Sequence, residues 1–353
     1  MKIAFLCLNL VDTLRRAEAF IKNEPHHDFT IVIVREDHDR EARPPKVYSI
    51  PYPNVDYIED AEFVSDNFDL VLPNNDKACK LLFSEVYGGQ LPNLSDKVIF
   101  QRMLESFGKF DLLETSVDKQ SPPFADDSLV IAKPANSSGG YSSSRLCYNK
   151  RRFFEVQHFF GDDSFLIQEY RDSNDILLLS FASNGCDLVL YDIVEQEFGQ
   201  SKNLNIFTSF MKSNLYLRDG HQELIEKTRE FFNFCGFGKF KGFFGVQFLR
   251  HDGKFFPIDC NLRTGPLAME IELRNLLDTR MYKAIPFFLG SAECKEYLEN
   301  PTAYEAYLCY AEENGHLTTA KPFTPNTNSR IQISSDKTSG TFRKDYTMFI
   351  ERA

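Results

Sequence analysis

The sequence predicts an α/β unit followed by two α+β lobes, and three stretches carry that expectation. Residues 1 to about 92 alternate apolar strands with helical segments, the pattern of a parallel sheet of Rossmann type. Leu129-Val130-Ile131-Ala132-Lys133-Pro134 is an apolar strand ending in a lysine, and a run of small residues from Asn136 to Ser144 follows it directly. Gly245 to Arg263 reads as a β-hairpin, with two apolar runs flanking the turn pair Asp252-Gly253.

In the N-terminal unit, Ile3 to Leu8 is a continuous apolar run, as in a strand buried on both faces. Asp12 to Asn23 has helical periodicity, Phe29 to Val34 is a second strand, and Asp69 to Leu72 is a later one, followed by a helix near Asp76 to Tyr87. Asn9-Leu10-Val11-Asp12 stands after the first strand where a dinucleotide site would need a glycine-rich turn, so no such site is read there. His38 to Pro53 is a charged, proline-containing loop. Arg40 and Arg43 within it read as solvated side chains before they read as ligands of an anionic substrate.

Ser95-Asp96 caps a helix that runs to Phe107 and ends at Gly108. Lys97 falls in its first turn, where the helix dipole disfavours a cation. A phosphate ligand nearby would account for it; a lysine snorkelling to the surface would also do so. Pro122-Pro123 marks a boundary. In the run after Lys133, Ser138, Gly139 and Gly140 are small enough for backbone N–H groups to cradle phosphate oxygens, while the strand-borne lysine supplies a fixed charge. A Ser/Gly run alone is more often a flexible linker, but a linker needs no apolar strand with a terminal lysine before it. A helix over Lys150–Phe160 follows.

Phe165 to Tyr170 is another apolar strand and contains Glu169 near its end; five residues after Tyr170, Asp175 opens the apolar run Ile176 to Phe181. Leu188 to Phe198 continues a sheet, and Asp219 to Cys235 is an amphipathic helix. In the hairpin, Asp259, Asn261 and Arg263 alternate, so one strand face carries all three. A two-residue loop at Asp252-Gly253 would pair Gln247 with Ile258 and send Asp259 to the other face. A three-residue loop, His251 to Gly253, would pair Gln247 with Pro257 and make Asp259 its diagonal neighbour. The three-residue loop is the expectation, with Gly253 at positive φ. It gathers three oxygen donors and a guanidinium, a set suited to a hard cation on a nucleotide phosphate. A helix is expected after Gly265-Pro266 toward Leu277. Beyond about residue 291 come a short helix, a strand over Ala303–Tyr310 and Ser/Thr/Asn-rich segments.

The order of these motifs resembles the ATP-grasp enzymes, which join a carboxylate to a nucleophile through an acyl-phosphate using ATP and magnesium. The resemblance covers about residues 95 to 280. It implies a Rossmann-like domain over 1–94, a small lobe with its linking helix and flap over 95–175, a large lobe with the metal site over 176–290, and a C-terminal extension of unclear role over 291–353. It implies that Lys97, Lys133 and the flap residues Ser138, Gly139 and Gly140 hold phosphates. Glu169 and the backbone of Tyr170 would address adenine, and Asp175 the ribose. Gln247, Asp259 and Asn261 would hold Mg²⁺, with Mn²⁺ able to substitute, and Arg263 would face the γ-phosphate and the acyl-phosphate. Most members carry glutamate at the position of Gln247; glutamine there resembles the carbamoyl-phosphate synthetase large-chain branch. The implied partners are a small carboxylate and an amine, with a homodimer as a candidate assembly. The competing class is a regulatory nucleotide-binding protein without ligase turnover.

Composition agrees with an enzyme of this kind. The chain has 353 residues, 42% hydrophobic and 26% charged, long enough for two or three packed units. A net charge of −11 argues against a general nucleic-acid surface. No apolar run reaches membrane-span length, and Met1 to Leu8 is too short and wrongly flanked for a signal peptide. Eight scattered cysteines without a C-x-x-C pair suggest reduced thiols in a cytoplasm. The 34 phenylalanines, with no tryptophan, suggest a Phe-rich core.

Overall fold

The computed structural model describes residues 1–7, 24–34, 53–73, 76–117, 128–135, 165–171, 175–198, 220–263 and 280–291, with strand segments at 145–147, 208–213, 304–310, 331–334 and 346–352 and a few single positions. Apolar runs at the N-terminus become β1 (Lys2–Cys7), β2 (Asp28–Ile33), β3 (Val55–Glu59) and β4 (Leu70–Pro73). They form one parallel sheet in the order β3-β2-β1-β4. The central strand β1 is buried on both faces, as its unbroken apolar sequence requires. Helix α1 (Asp76–Leu81) follows β4 and runs on as a π-type turn over Leu82–Val86. The expected helices at 12–23, at 150–160 and after Pro266 toward Leu277 lie almost wholly outside the described residues.

Helix α2 (Lys97–Phe107) has the predicted ends. The Asp96 carboxylate accepts from the N–H groups of Val98 and Ile99 at 2.9 and 3.0 Å, and Gly108 closes the helix at φ 67°. A second sheet, in the order β5-β8-β6-β7, is built from β5 (Thr115–Ser116), β6 (Val130–Pro134), β7 (Arg145–Cys147) and β8 (Phe165–Glu169). Its strands pair antiparallel throughout.

The third sheet is the largest. It takes β9 (Asp175–Asn184), β10 (Leu188–Phe198), β11 (Thr208–Ser213), β12 (Lys241–His251), β13 (Lys254–Asn261), β14 (Tyr304–Tyr310), β15 (Ile331–Ser334) and β16 (Tyr346–Arg352) in the order β13-β12-β9-β10-β11-β14-β16-β15. The segment past residue 291, expected as an extension of unclear role, therefore adds strands to the same sheet that carries the hairpin. Helix α3 (Gln222–Phe234) packs its apolar face on this sheet, and α4 (Arg280–Phe288) packs against the cluster it shares with the parallel sheet.

Phenylalanine makes the core. Phe181, Phe231, Phe232, Phe237, Phe240 and Phe244 are each no more than 1% exposed and pack mostly edge-to-face or tilted, with Phe232 and Phe244 at 4.3 Å and Phe181 stacked near-parallel on Phe244 at 6.0 Å. Such pairs stabilise by about 0.5–1.5 kcal/mol beyond the area they bury. Gly245 lets β12 lie close to β9: a Cβ there would sit 2.8 Å from the Leu179 carbonyl.

Candidate active site

The hairpin turn differs from expectation. His251 pairs directly with Lys254, so the loop is the two residues Asp252 and Gly253, with φ of 50° and 74°. Positive φ at both central positions suits a primed turn, whose twist matches the strands. That loop length alone would put Gln247 and Asp259 on opposite faces. A β-bulge restores them: Phe248 pairs with Pro257, Gln247 pairs with Asp259, and Ile258 is left without a cross-strand partner. Pro257 explains the placement, because a residue with no N–H is tolerated on an edge strand or at a bulge, and β13 is the edge strand of its sheet. Gln247 and Asp259 are thus direct cross-strand neighbours, and Asn261, opposite Gly245, lies two residues along on the same face. Gln247, Asp259 and Asn261 are half-buried, as is Arg263 just past the strand.

Two lysines converge on this edge. Lys97 is buried, not a surface side chain, and its Nζ lies 3.2 Å from Asp259 Oδ1, 162 residues away in the chain. The same oxygen accepts from the Cys260 N–H at 3.1 Å. The Lys97 backbone N–H donates to the Ala135 carbonyl at 2.9 Å, which ties the start of α2 to the end of β6. Lys133, at the end of β6 and 9% exposed, donates to Gln168 Oε1 at 2.7 Å and to the carbonyl of the bulged Ile258 at 3.3 Å. Burial pulls its pKa down from 10.5 to about 8, with Asp259 opposing the shift and Lys97 adding to it. Asp259 is thus the anion common to both ammonium groups.

Gln168 is the residue that sequence reading passed over. It is 2% exposed and holds Lys133 in place from the neighbouring strand. Its signal was a single amide inside the apolar run from Phe165 to Glu169, a position that must be satisfied when buried.

The segment after β8 is pinned to the hairpin. Arg171 pairs with the Glu169 carboxylate at 3.1 Å and lies over the Phe256 ring at 5.3 Å, while Ser173 Oγ donates to the Arg250 carbonyl at 2.6 Å. The Tyr170 N–H donates to the Leu129 carbonyl at 3.0 Å. Asp175 begins β9 opposite Glu197; its side chain lies outside the described residues, as do Ser138, Gly139 and Gly140.

No family model matches the chain, and no curated protein matches it in sequence. Solved structures do match it in fold. An L-amino acid ligase from Bacillus licheniformis superposes with a TM-score of 0.63 at 13% identity, covering 88% of this chain and 80% of that one. A carboxyaminoimidazole ribonucleotide synthase from Aspergillus clavatus, complexed with ATP, gives a TM-score of 0.63 at 11% identity over 98% and 92%. Biotin carboxylase from Campylobacter jejuni gives 0.60 at 14% identity over 100% and 87%. These neighbours are ATP-grasp carboxylate-amine ligases. The chain has their mixed α/β fold, and at this level of identity the likeness is one of fold.

Proposed function

We propose that the protein is an ATP-grasp ligase that activates a carboxylate with ATP and joins it to an amine, releasing ADP and phosphate. The observation that carries this reading is the charge at the hairpin edge. Among the described residues, two buried ammonium groups, Lys97 and Lys133, gather on one carboxylate, Asp259, where Lys97 pairs with it directly and Lys133 feels its charge. Taking cations out of water is costly, and an entering polyphosphate would offset part of that cost.

The oxygen donors Gln247, Asp259 and Asn261 fit a hard divalent cation, since they share one face of the paired strands β12 and β13 and offer a carboxylate and two amide carbonyls. Bound there, Mg²⁺ would neutralise charge on phosphate oxygens during transfer. The chain's own groups do the rest in this reading. Lys97 and Lys133 orient the phosphates, with Gln168 fixing the Lys133 rotamer. The substrate carboxylate attacks the γ-phosphorus as the bond to ADP breaks. Arg263 faces the acyl-phosphate; the amine attacks its carbonyl carbon, and phosphate departs. Glu169 and the segment around Tyr170 border the base, Asp175 the ribose, and Ser138, Gly139 and Gly140 cover the phosphates. The order β3-β2-β1-β4 supports a Rossmann-like reading of the first unit, and Gln247 supports the carbamoyl-phosphate synthetase-like branch. Among the described residues no helix is long and apolar enough to cross a membrane.

A second reading, nucleotide binding without turnover, draws on the neutral Gln247 and on the hold of Lys97 on Asp259, which leave little negative charge for a cation. A screen of carboxylates and amines for ADP release separates the two. Release that needs both co-substrates supports the ligase. Tight ATP binding with no release for any pair supports the second reading.

A further inference from the structure

We propose that Glu24, His26 and His27 form a second metal site, for a divalent ion of the zinc class, on the turn that leads into β2. It lies on the parallel sheet, whereas the candidate active site is carried by the other two sheets and α2.

The turn is built before any ion arrives. The His27 N–H donates to the Glu24 carbonyl at 3.1 Å, closing a four-residue turn with Pro25 inside it. Asn54 Nδ2 donates to the His27 carbonyl at 2.9 Å and reaches the Pro25 carbonyl at 3.5 Å, so the neighbouring strand clamps the same backbone. From this frame, one ligand atom of each of the three side chains falls within 4.8 Å of the others. Glu24 Oε2 lies 3.3 Å from His26 Nε2 and 3.6 Å from His27 Nε2. Four-coordinate zinc with bonds of about 2.0–2.1 Å places its ligand atoms roughly 3.3 Å apart, close to the two distances from Glu24.

A second observation points to a missing ligand. His27 is 7% exposed, and its Nδ1 is buried with no hydrogen-bond partner among the described residues. Its Nε2 stands 3.6 Å from the nearest carboxylate oxygen, beyond hydrogen-bond length. The nitrogen turned toward Glu24 is therefore Nε2, and an ion there would engage it and leave the proton on Nδ1. Two imidazole nitrogens with one carboxylate oxygen suit Zn²⁺, Ni²⁺ or Cu²⁺, whereas Mg²⁺ and Ca²⁺ favour all-oxygen sets. Magnesium at the hairpin and a zinc-class ion at this turn would therefore not compete. Because the turn precedes β2, an ion held there would stabilise the folded sheet over the unfolded chain.

The test is zinc titration of the chelator-treated full-length protein by calorimetry, in excess Mg²⁺, with Co²⁺ as a spectroscopic probe. The proposal expects one zinc equivalent, a Co²⁺ spectrum of four-coordinate intensity without a thiolate charge-transfer band, and a rise in Tm on adding zinc. His26 is largely exposed, so His26→Ala leaves the metal-free Tm unchanged. It should weaken zinc by at least about tenfold, the lower end of what losing even a supporting hydrogen bond costs a metal site. Glu24→Gln should weaken it similarly. Zinc binding that is absent in the wild type, unmoved by both variants, or accompanied by a thiolate band would overturn the proposal.

Discussion

The two sheets that meet at the candidate site are built very differently. The sheet carrying Lys133 and Gln168 has a small apolar cluster among the described residues: Phe124, Val130, Ala132, Phe165 and Ile167. The sheet carrying the hairpin continues into the large phenylalanine core shared with α2, α3 and β4. Among the described residues, the end of the site with Asp259 thus stands on the larger apolar cluster and the end with Lys133 on the smaller one. Local opening free energy follows buried apolar contact, so the described strands of the small sheet are expected to open more readily than those of the large one.

The largest effect that would sharpen this contrast is in the core. Phe244→Ala should lower global stability by about 3–5 kcal/mol in denaturant unfolding. Ile167→Ala should instead act locally, speeding amide exchange over 130–134 and 165–169 while β9 and β12 keep their protection. Equal acceleration in both sheets would break the comparison.

Next is the chemistry of the end with Asp259. Asp259→Asn should cost Mg²⁺-dependent turnover about 2–4 kcal/mol of barrier, and nucleotide affinity less, because several other groups hold the nucleotide. Equal losses in kcat and in ATP affinity would remove Asp259 from its assigned role. On the other side of the cleft, Lys133→Met keeps the volume and removes the charge. It should weaken ATP by about 1.5–3 kcal/mol while leaving the apo protein as stable or more so, because a desolvated charge is lost with the side chain. ATP affinity equal to wild type in calorimetry would end the phosphate assignment.

The smallest effect is a proton count. Lys133 has its pKa lowered from 10.5 to about 8 by burial. In the apo protein the burial cost is present in full below pH 8. Stability then rises between about pH 8 and 10.5, where the unfolded chain holds a proton that the folded one has released. An arriving phosphate favours the ammonium, so nucleotide binding near pH 8.5 should take up part of a proton, and affinity should fall as pH rises further. Calorimetry in two buffers of different ionisation enthalpy measures this. Buffer-independent heats, or uptake that survives in Lys133→Met, would place the titrating group elsewhere.

Much of this architecture was readable because it is local. The apolar run of β1, the Asp96 cap and Gly108 stop of α2, and the alternation of Asp259 and Asn261 depend on neighbours a few residues away, whereas β13 ends before Arg263. The expected three-residue turn failed for a reason visible in the chain: Pro257 signals a bulge, and the bulge does the work assigned to a longer loop. Lys97 was legible as an oddity, a cation at a helix start, without its partner. The strands beyond residue 303 could not be placed in the hairpin's sheet, because strand order is set by pairing across long loops and leaves no local mark.

By itself, then, the sequence determined the apolar strands of the first sheet, the ends of α2 and the alternation of Asp259 and Asn261 along β13. Tertiary structure alone decided that Gln247 faces Asp259, that Lys97 reaches Asp259 across 162 residues, and that Gln168 and the Ile258 carbonyl hold Lys133. Side-chain periodicity is a property of a few consecutive dihedrals. Register and ion pairing are chosen only when distant strands dock and each buried charge must find a partner.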